Sequence, residues 1–231
     1  MSGRRGFTLI EILVVLSVVL VLACLIFPAW QSFQAQGDRV GGISQMRQIG
    51  LALFQYAGDQ GGRLPGPMKS GQGARYRPAQ PDQLATALGM YLGVSDLEQD
   101  SLLRMFLPPA LVRAMGRERA SSANPFVMNI SAKANGQGIK PWGSSAAPVA
   151  SPMLLSAITP GVWAFCDADQ LHPLVAGQPW ASKTPSGIIH GTQRLALYFD
   201  GRVMSISETD FAGGGGPPGP PPPPPPPPPP R

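Results

Sequence analysis

The chain has little of what a soluble enzyme is usually built from. Only 13% of its 231 residues are charged, against about 25% in an ordinary globular domain, which argues against a generic cytosolic enzyme. Its two cysteines, Cys24 and Cys166, exclude a disulfide framework as the basis of the fold. Cys24 lies in an apolar run, and both read as small apolar residues. There are only two histidines, His172 and His190, and no paired zinc histidines, serine nucleophile elbow or cysteine–histidine site is recognisable. The glycines at 213–216 lack the strand, helix and lysine that a phosphate loop requires. No catalytic residue stands out, no cofactor is called for, and the expectation is that this is not an enzyme. An excess of one charge sign is lacking too. The formal +5 includes Arg4 and Arg5, and without them 16 basic side chains face 13 acidic ones, too even for a nucleic-acid footprint. Nucleic acid is not an expected partner.

Glycine and proline, by contrast, are abundant. The 28 of each make 56 residues, about twice the ordinary share of roughly 12%. Residues 213–231 hold 13 of the prolines and 5 of the glycines; the other 212 residues keep 15 Pro and 23 Gly, so the folded part is loop-rich. The length allows one to two domains and one real core.

One long hydrophobic run is present. Residues 7–30 read FTLIEILVVLSVVLVLACLIFPAW, 24 residues with a single charge, Glu11. As a helix this run measures about 36 Å, more than the ~30 Å hydrocarbon core of a bilayer. It follows the short basic segment Ser2-Gly3-Arg4-Arg5-Gly6, so the arginines are expected on the cytoplasmic side and everything after Trp30 outside. The run is too long for an ordinary secretory signal, and no small-residue cleavage site follows it. A carboxylate four residues into such a run costs a few kcal/mol on insertion scales. Two readings are open for Glu11: it snorkels or protonates near the interface, or it meets a cation supplied by another chain.

Gly6-Phe7-Thr8-Leu9-Ile10-Glu11, after a basic leader and before some twenty apolar residues, resembles the class III signal of type IV pilins and type II secretion pseudopilins. The resemblance implies cleavage after Gly6 by a membrane prepilin peptidase and methylation of the new N-terminal Phe7. It also implies pairing of Glu11 with the Phe7 amine of an adjacent subunit during filament assembly. Pro28 matches a proline that kinks the membrane helix in that family. The implied partners are prepilin peptidase, further copies of the chain or other pilin-like subunits, inner-membrane lipid, and assembly machinery with an ATPase. The implied location is the bacterial inner membrane, single-pass, with the head exported.

Past the membrane, Ile43, Met46, Gly50, Leu53 and Ala57 recur on one helical face, suited to packing on a globular head. Gly37, Gly41 and Gly42 precede them, each unfavourable by about 1 kcal/mol in a helix interior, so the stalk is expected to bend or melt there. The cluster DQGGRLPGP at 59–67 ends the helix. The piece MRQIGLAL at 46–53, with Tyr56, Asp59, Gly62, Arg63 and Pro65, carries a second resemblance, to a subgroup of pilin-like proteins named for His, nine residues, then Asp-Gly. Here that motif is His190, then Asp200-Gly201.

In the middle, DQLATALGMYLG at 82–93 predicts a short helix capped by Asp82. The capping-box pattern of Ser95 to Glu98 predicts a second, stopped by Pro108-Pro109. Arg113, Arg117 and Arg119 read as a solvated face, and residues 135–152 as a long surface loop. Residues 161–166 (GVWAFC) predict a strand. Residues 194–199 and 202–207 predict a hairpin on a two-residue Asp200-Gly201 turn. That turn pairs Phe199 with Arg202, Leu197 with Met204 and Leu195 with Ile206, with Leu195, Leu197, Phe199, Met204 and Ile206 on one apolar face. Asp-Gly then needs no chemistry to explain it. For His190, hydrogen bonding to the hairpin or the Asp167 turn is one reading. The other is a mixed His/Asp metal site with Asp167, Asp169 and Asp200, although the acidic density that calcium requires is missing. Residues 217–230, nearly pure proline with eleven in a row from Pro220, predict a disordered, solvated tail: a polyproline II rod of about 34 Å at 3.1 Å per residue. It serves as a stiff extension or as a docking peptide for an aromatic groove.

The expected fold is therefore α+β. A leader (1–6), a long transmembrane assembly helix (7–30) and a helical stalk (31–58) lead into a pilin-like head with a small antiparallel sheet (59–212) and a Gly/Pro-rich tail (213–231). The expected function is that of a pilus-like or pseudopilus filament subunit. The alternative is a membrane-anchored exported binding protein, processed like a pilin, that never polymerises.

Overall fold

A computed structural model describes residues 9–134 and 136–207, apart from the side chains of residues 25, 26, 28, 29 and 31. The leader, Phe7 and the proline tail lie outside the described residues. Helix α1 (Leu9–Asp59) is 51 residues long, about 77 Å. The head that follows contains β1 (Gly71–Gln72), β2 (Arg75–Tyr76), α2 (Leu84–Ala87), β3 (Ser101–Leu102), α3 (Pro109–Met115), α4 (Arg117–Ser121) and β4 (Phe126–Met128). It continues with β5 (Ala132–Ala134), β6 (Gln137–Ile139), β7 (Trp163–Asp167), β8 (Arg194–Tyr198) and β9 (Val203–Ile206). The main sheet has the order β1-β4-β7-β8-β9, antiparallel throughout. The mixed α/β architecture with a small antiparallel sheet agrees with the sequence expectation.

Helix α1 runs through Gly37, Gly41 and Gly42 without a break, which corrects the expectation that the stalk melts there. At Gly41 and Gly42 close packing against Pro109, Leu195 and His190 outweighs the glycines' poor propensity. A Cβ at 42 would lie 2.9 Å from Leu195 Cδ1, and one at 50 would lie 3.0 Å from Leu197 Cδ1. The absence of a side chain lets β8 approach α1. Met46, Ile49, Leu53 and Ala57 continue this buried face. The helix ends where expected, with Gly61 and Gly62 at positive φ and the Gly62 N–H bonded to the Ala57 carbonyl.

Other local expectations are revised. Asp82 does not cap a helix; it pairs with Lys69 at 2.8 Å, while the Gln72 amide oxygen accepts the Leu84 N–H that opens α2. The segment after Ser95 forms no α-helix before Pro109, only a single 3-10 turn at Arg104–Phe106. Asp96 accepts from the Glu98 N–H at 2.9 Å, a local turn that competes with a helix start. Pro109 does not stop a helix but starts α3, since its fixed φ suits a first position that needs no N–H donor. Residues expected to form a long loop include β6 and Trp142. The Trp142 indole is fully buried and sits 5.2 Å from the Phe199 ring.

The β8–β9 hairpin differs by one residue from its expected register. Leu195 pairs with Ser205, Ala196 with Met204 and Leu197 with Val203, and the Tyr198 N–H bonds the Arg202 carbonyl. The loop is therefore three residues, Phe199-Asp200-Gly201, with Gly201 at φ +86°, the form in which a left-handed residue ends the turn. A one-residue slip exchanges faces. Leu195, Leu197, Phe199 and Val203 pack with the α1 core, while Ala196, Tyr198, Met204 and Ile206 face a second core with Val127, Cys166 and Val175. Both faces of β8 are buried.

Candidate functional site

The N-terminal part of α1 has the most unusual surface in the molecule. From Leu9 to Leu22 every large apolar side chain is at least half exposed. A contiguous apolar surface of this extent marks a protein or membrane contact. Glu11 is the acidic residue of its first turn. Gly6 and Phe7 lie outside the described residues, so their placement beside Glu11 is not part of the geometry. Position 28 lies within helix α1. Among the described residues no helix is long and apolar enough to cross a membrane.

The structure does not bring His190 and Asp200-Gly201 together. They sit at opposite ends of β8, and each touches α1. A Cβ at Gly42 would lie 3.3 Å from His190 Nε2, and a Cβ at Gly201 would lie 2.9 Å from Phe54 Cε2. Gly42 and Phe54 are twelve residues apart, about 18 Å along the helix. The motif spacing therefore measures one strand and its turn laid against α1. Asp200 is bound by its own hairpin, accepting from the Arg202 N–H at 3.1 Å and Arg202 Nε at 2.9 Å. Burial alone would raise the Asp200 carboxyl, but the hydrogen bonds and charge of Arg202 outweigh it and hold it below its ordinary value.

At the other end, β7 and β8 bring together a polar cluster within the sheet. Arg194 makes a bidentate contact with Asp169, Nε to Oδ2 at 2.5 Å and Nη2 to Oδ1 at 2.9 Å, with both side chains buried. This is the planar fork geometry that carboxylates favour. Asp167 Oδ2 accepts the Leu195 N–H at 2.8 Å and lies 3.6 Å from His190 Nε2. Asp167 Oδ1 and His190 Nε2 find no hydrogen-bond partner among the described residues. Burial pushes the Asp167 carboxyl up to about 7. Burial also lowers His190, with Asp38 opposing and Arg39 assisting. His172, driven down to about 4 by burial and then by Arg194, accepts the Leu174 N–H on Nδ1 at 3.0 Å. Its neutral ring then carries the proton on Nε2, which faces Cys166 Sγ at 3.3 Å. Cys166 is itself pushed well up by burial, the state of an inert core thiol.

His190 thus lies beside Asp167, while Asp169 is bound by Arg194 and Asp200 is at the far end of the strand. Among the described residues no group of three or more His, Cys, Asp or Glu could hold a metal ion. Sequence reasoning missed Arg194, whose place at the head of an apolar strand was the available signal: a buried guanidinium needs a buried carboxylate. It also missed Asp38, which pairs with Arg113 at 2.6 Å beside an open depression of about 670 Å³ where α1 meets the head.

Residues 1–26 match the prokaryotic N-terminal methylation motif. This motif is typical of pilins and pseudopilins processed by prepilin peptidase. An N-terminal motif of this kind suggests a membrane-anchored exported protein. No curated protein and no solved structure matches the chain.

Proposed function

We propose that the protein is a structural subunit of a type IV pilus-like or type II secretion pseudopilus filament. The observation that carries this reading is the methylation motif at 1–26 continuing into a helix whose apolar side chains stand exposed from Leu9 to Leu22. The leader is cut after Gly6, Phe7 becomes the methylated N-terminus, and residues 7–30 span the bacterial inner membrane before joining the filament core. Glu11 then neutralises the Phe7 amine of the next subunit, Pro28 kinks the helix near the outer interface, and the head forms the filament surface. A separate ATPase drives assembly. His190 and Asp200-Gly201 mark the subgroup named for that spacing, in a structural role.

The second reading, a processed anchor that never polymerises, differs in its dependence on Glu11. The test is the Glu11→Ala chain in its native host, followed by electron microscopy and sedimentation of sheared surface material. A filament subunit loses assembly by at least tenfold while remaining in the membrane. Filament-free wild type, or a variant that assembles like wild type, would decide against the filament reading.

A further inference from the structure

Where β1 and β2 meet the end of α4 and the turn at Ala181–Lys183, the head surface forms a depression of about 560 Å³. Five cations line it, Lys69, Arg75, Arg77, Arg119 and Lys183, and no carboxylate does. Two are neutralised by neighbours, Lys69 by Asp82 at 2.8 Å and Arg77 by Asp100 at 3.4 Å. Arg75, Arg119 and Lys183 make no ion pair among the described residues. Like charges gathered without partners repel one another, and an anion relieves that repulsion. The near-even charge of the whole chain hides this local excess.

The rest of the wall combines polar groups with Ala74, Met115 and Ala123. Ser122, Ser182 and the amide of Asn124 line it beside Trp180. The indole lies flat on Gly71, where a Cβ would fall 2.5–2.7 Å from three ring atoms. The Asn124 N–H bonds the Lys183 carbonyl at 2.9 Å, tying the Trp180 turn to the end of α4. Gln83 holds the opposite rim, accepting the Gly73 N–H at 2.7 Å and donating to the Gly71 carbonyl at 3.3 Å.

We infer that this depression binds a carboxylated sugar. Its cations suit the carboxylate, its hydroxyl and amide groups suit ring hydroxyls, and the fixed indole offers an apolar surface to a sugar's C–H face. Its volume is that of a small-ligand site. A single aromatic, with no succession of stacking platforms along a groove, does not suit single-stranded nucleic acid. The inference concerns the head alone and applies to a filament subunit and to a non-polymerising anchor alike.

The test titrates trigalacturonic acid into the full chain held in a sugar-free detergent, following tryptophan emission and heat. The expected result is saturable binding that weakens as salt rises. Arg75→Ala combined with Lys183→Ala weakens it at least tenfold, Trp180→Phe weakens it several-fold, and Arg117→Ala, outside the depression, leaves it unchanged. All variants keep the wild-type far-UV spectrum. Neutral maltotriose binds at least tenfold more weakly. The inference is overturned if trigalacturonic acid does not bind, if maltotriose binds equally, or if the double substitution has no effect. Tighter binding of a short oligothymidylate, weakened by the same substitutions, would overturn it in favour of a nucleic-acid site.

Discussion

Gly37 and Gly42 lie less than two helical turns apart on α1 and answer opposite demands. Nothing lies within 4 Å of a Cβ built on Gly37, whereas one on Gly42 meets Leu195 and His190. Gly37→Ala is therefore expected to stabilise the chain by up to about 1 kcal/mol through helix propensity. Gly42→Ala is expected to destabilise it by about 1–3 kcal/mol through overpacking. Denaturant midpoints of the full chain in detergent check both, with the buried Trp142 among the emitting reporters. Residue type alone could not separate the two glycines, because the difference lies in a strand more than 150 residues further along the chain. Asp167 supplies a second residue-scale test. Its carboxyl, raised by burial to about 7 from an ordinary ~3.9, holds its proton more tightly in the folded chain. Stability is therefore lost as pH rises through that window. His172, lowered to about 4 from an ordinary ~6.5, acts in the opposite sense, so its contribution is lost as pH falls from about 6.5 toward 4. Asp167→Asn removes the first effect and keeps an acceptor for the Leu195 N–H. It should gain on wild type between about pH 4 and pH 8, by up to about 4 kcal/mol, in denaturant midpoints taken across that range. A difference independent of pH would contradict the buried ionisation.

At the scale of elements, β8 organises the head. Its ends contact α1 at Gly42 and Phe54, and its two faces close two separate cores. Gly201 carries the turn at φ +86° against the Phe54 ring. Gly201→Ala should cost about 1–3 kcal/mol from backbone strain plus the clash, read by thermal melting and by faster hydrogen exchange in β8 and β9. Wild-type exchange in that variant would remove the turn from the account. The existence of this hairpin was legible in the sequence, as were the long helix, its buried face and β7. The register was not legible. Asp-Gly fits two-residue and three-residue loops alike, and a strand reading Arg-Leu-Ala-Leu-Tyr offers an apolar residue to both faces, so alternation cannot choose between them. Pro109 was misread for a related reason: proline ends a helix from within and opens one at its first position, and only tertiary context decides which. The basic depression was illegible because its cations come from β2 and Arg77 beside it, α4, the Ala181–Lys183 turn and Lys69, separated by up to 114 residues.

At the scale of the whole molecule, a helix of 51 residues carries a folded head at one end and a bare apolar surface at the other. That arrangement is costly for a monomer in water and marks a protein or membrane contact. The N-terminal signal was the most legible feature of the sequence because its chemistry is local: a glycine before an apolar residue, a basic leader and one carboxylate at fixed spacing. The filament account rests on that signal being processed. Intact mass and N-terminal sequencing of the protein taken from its native membrane test it most directly. The account requires a chain that begins with N-methylated Phe7 and lacks residues 1–6; a mature chain that retains residues 1–6 would contradict it.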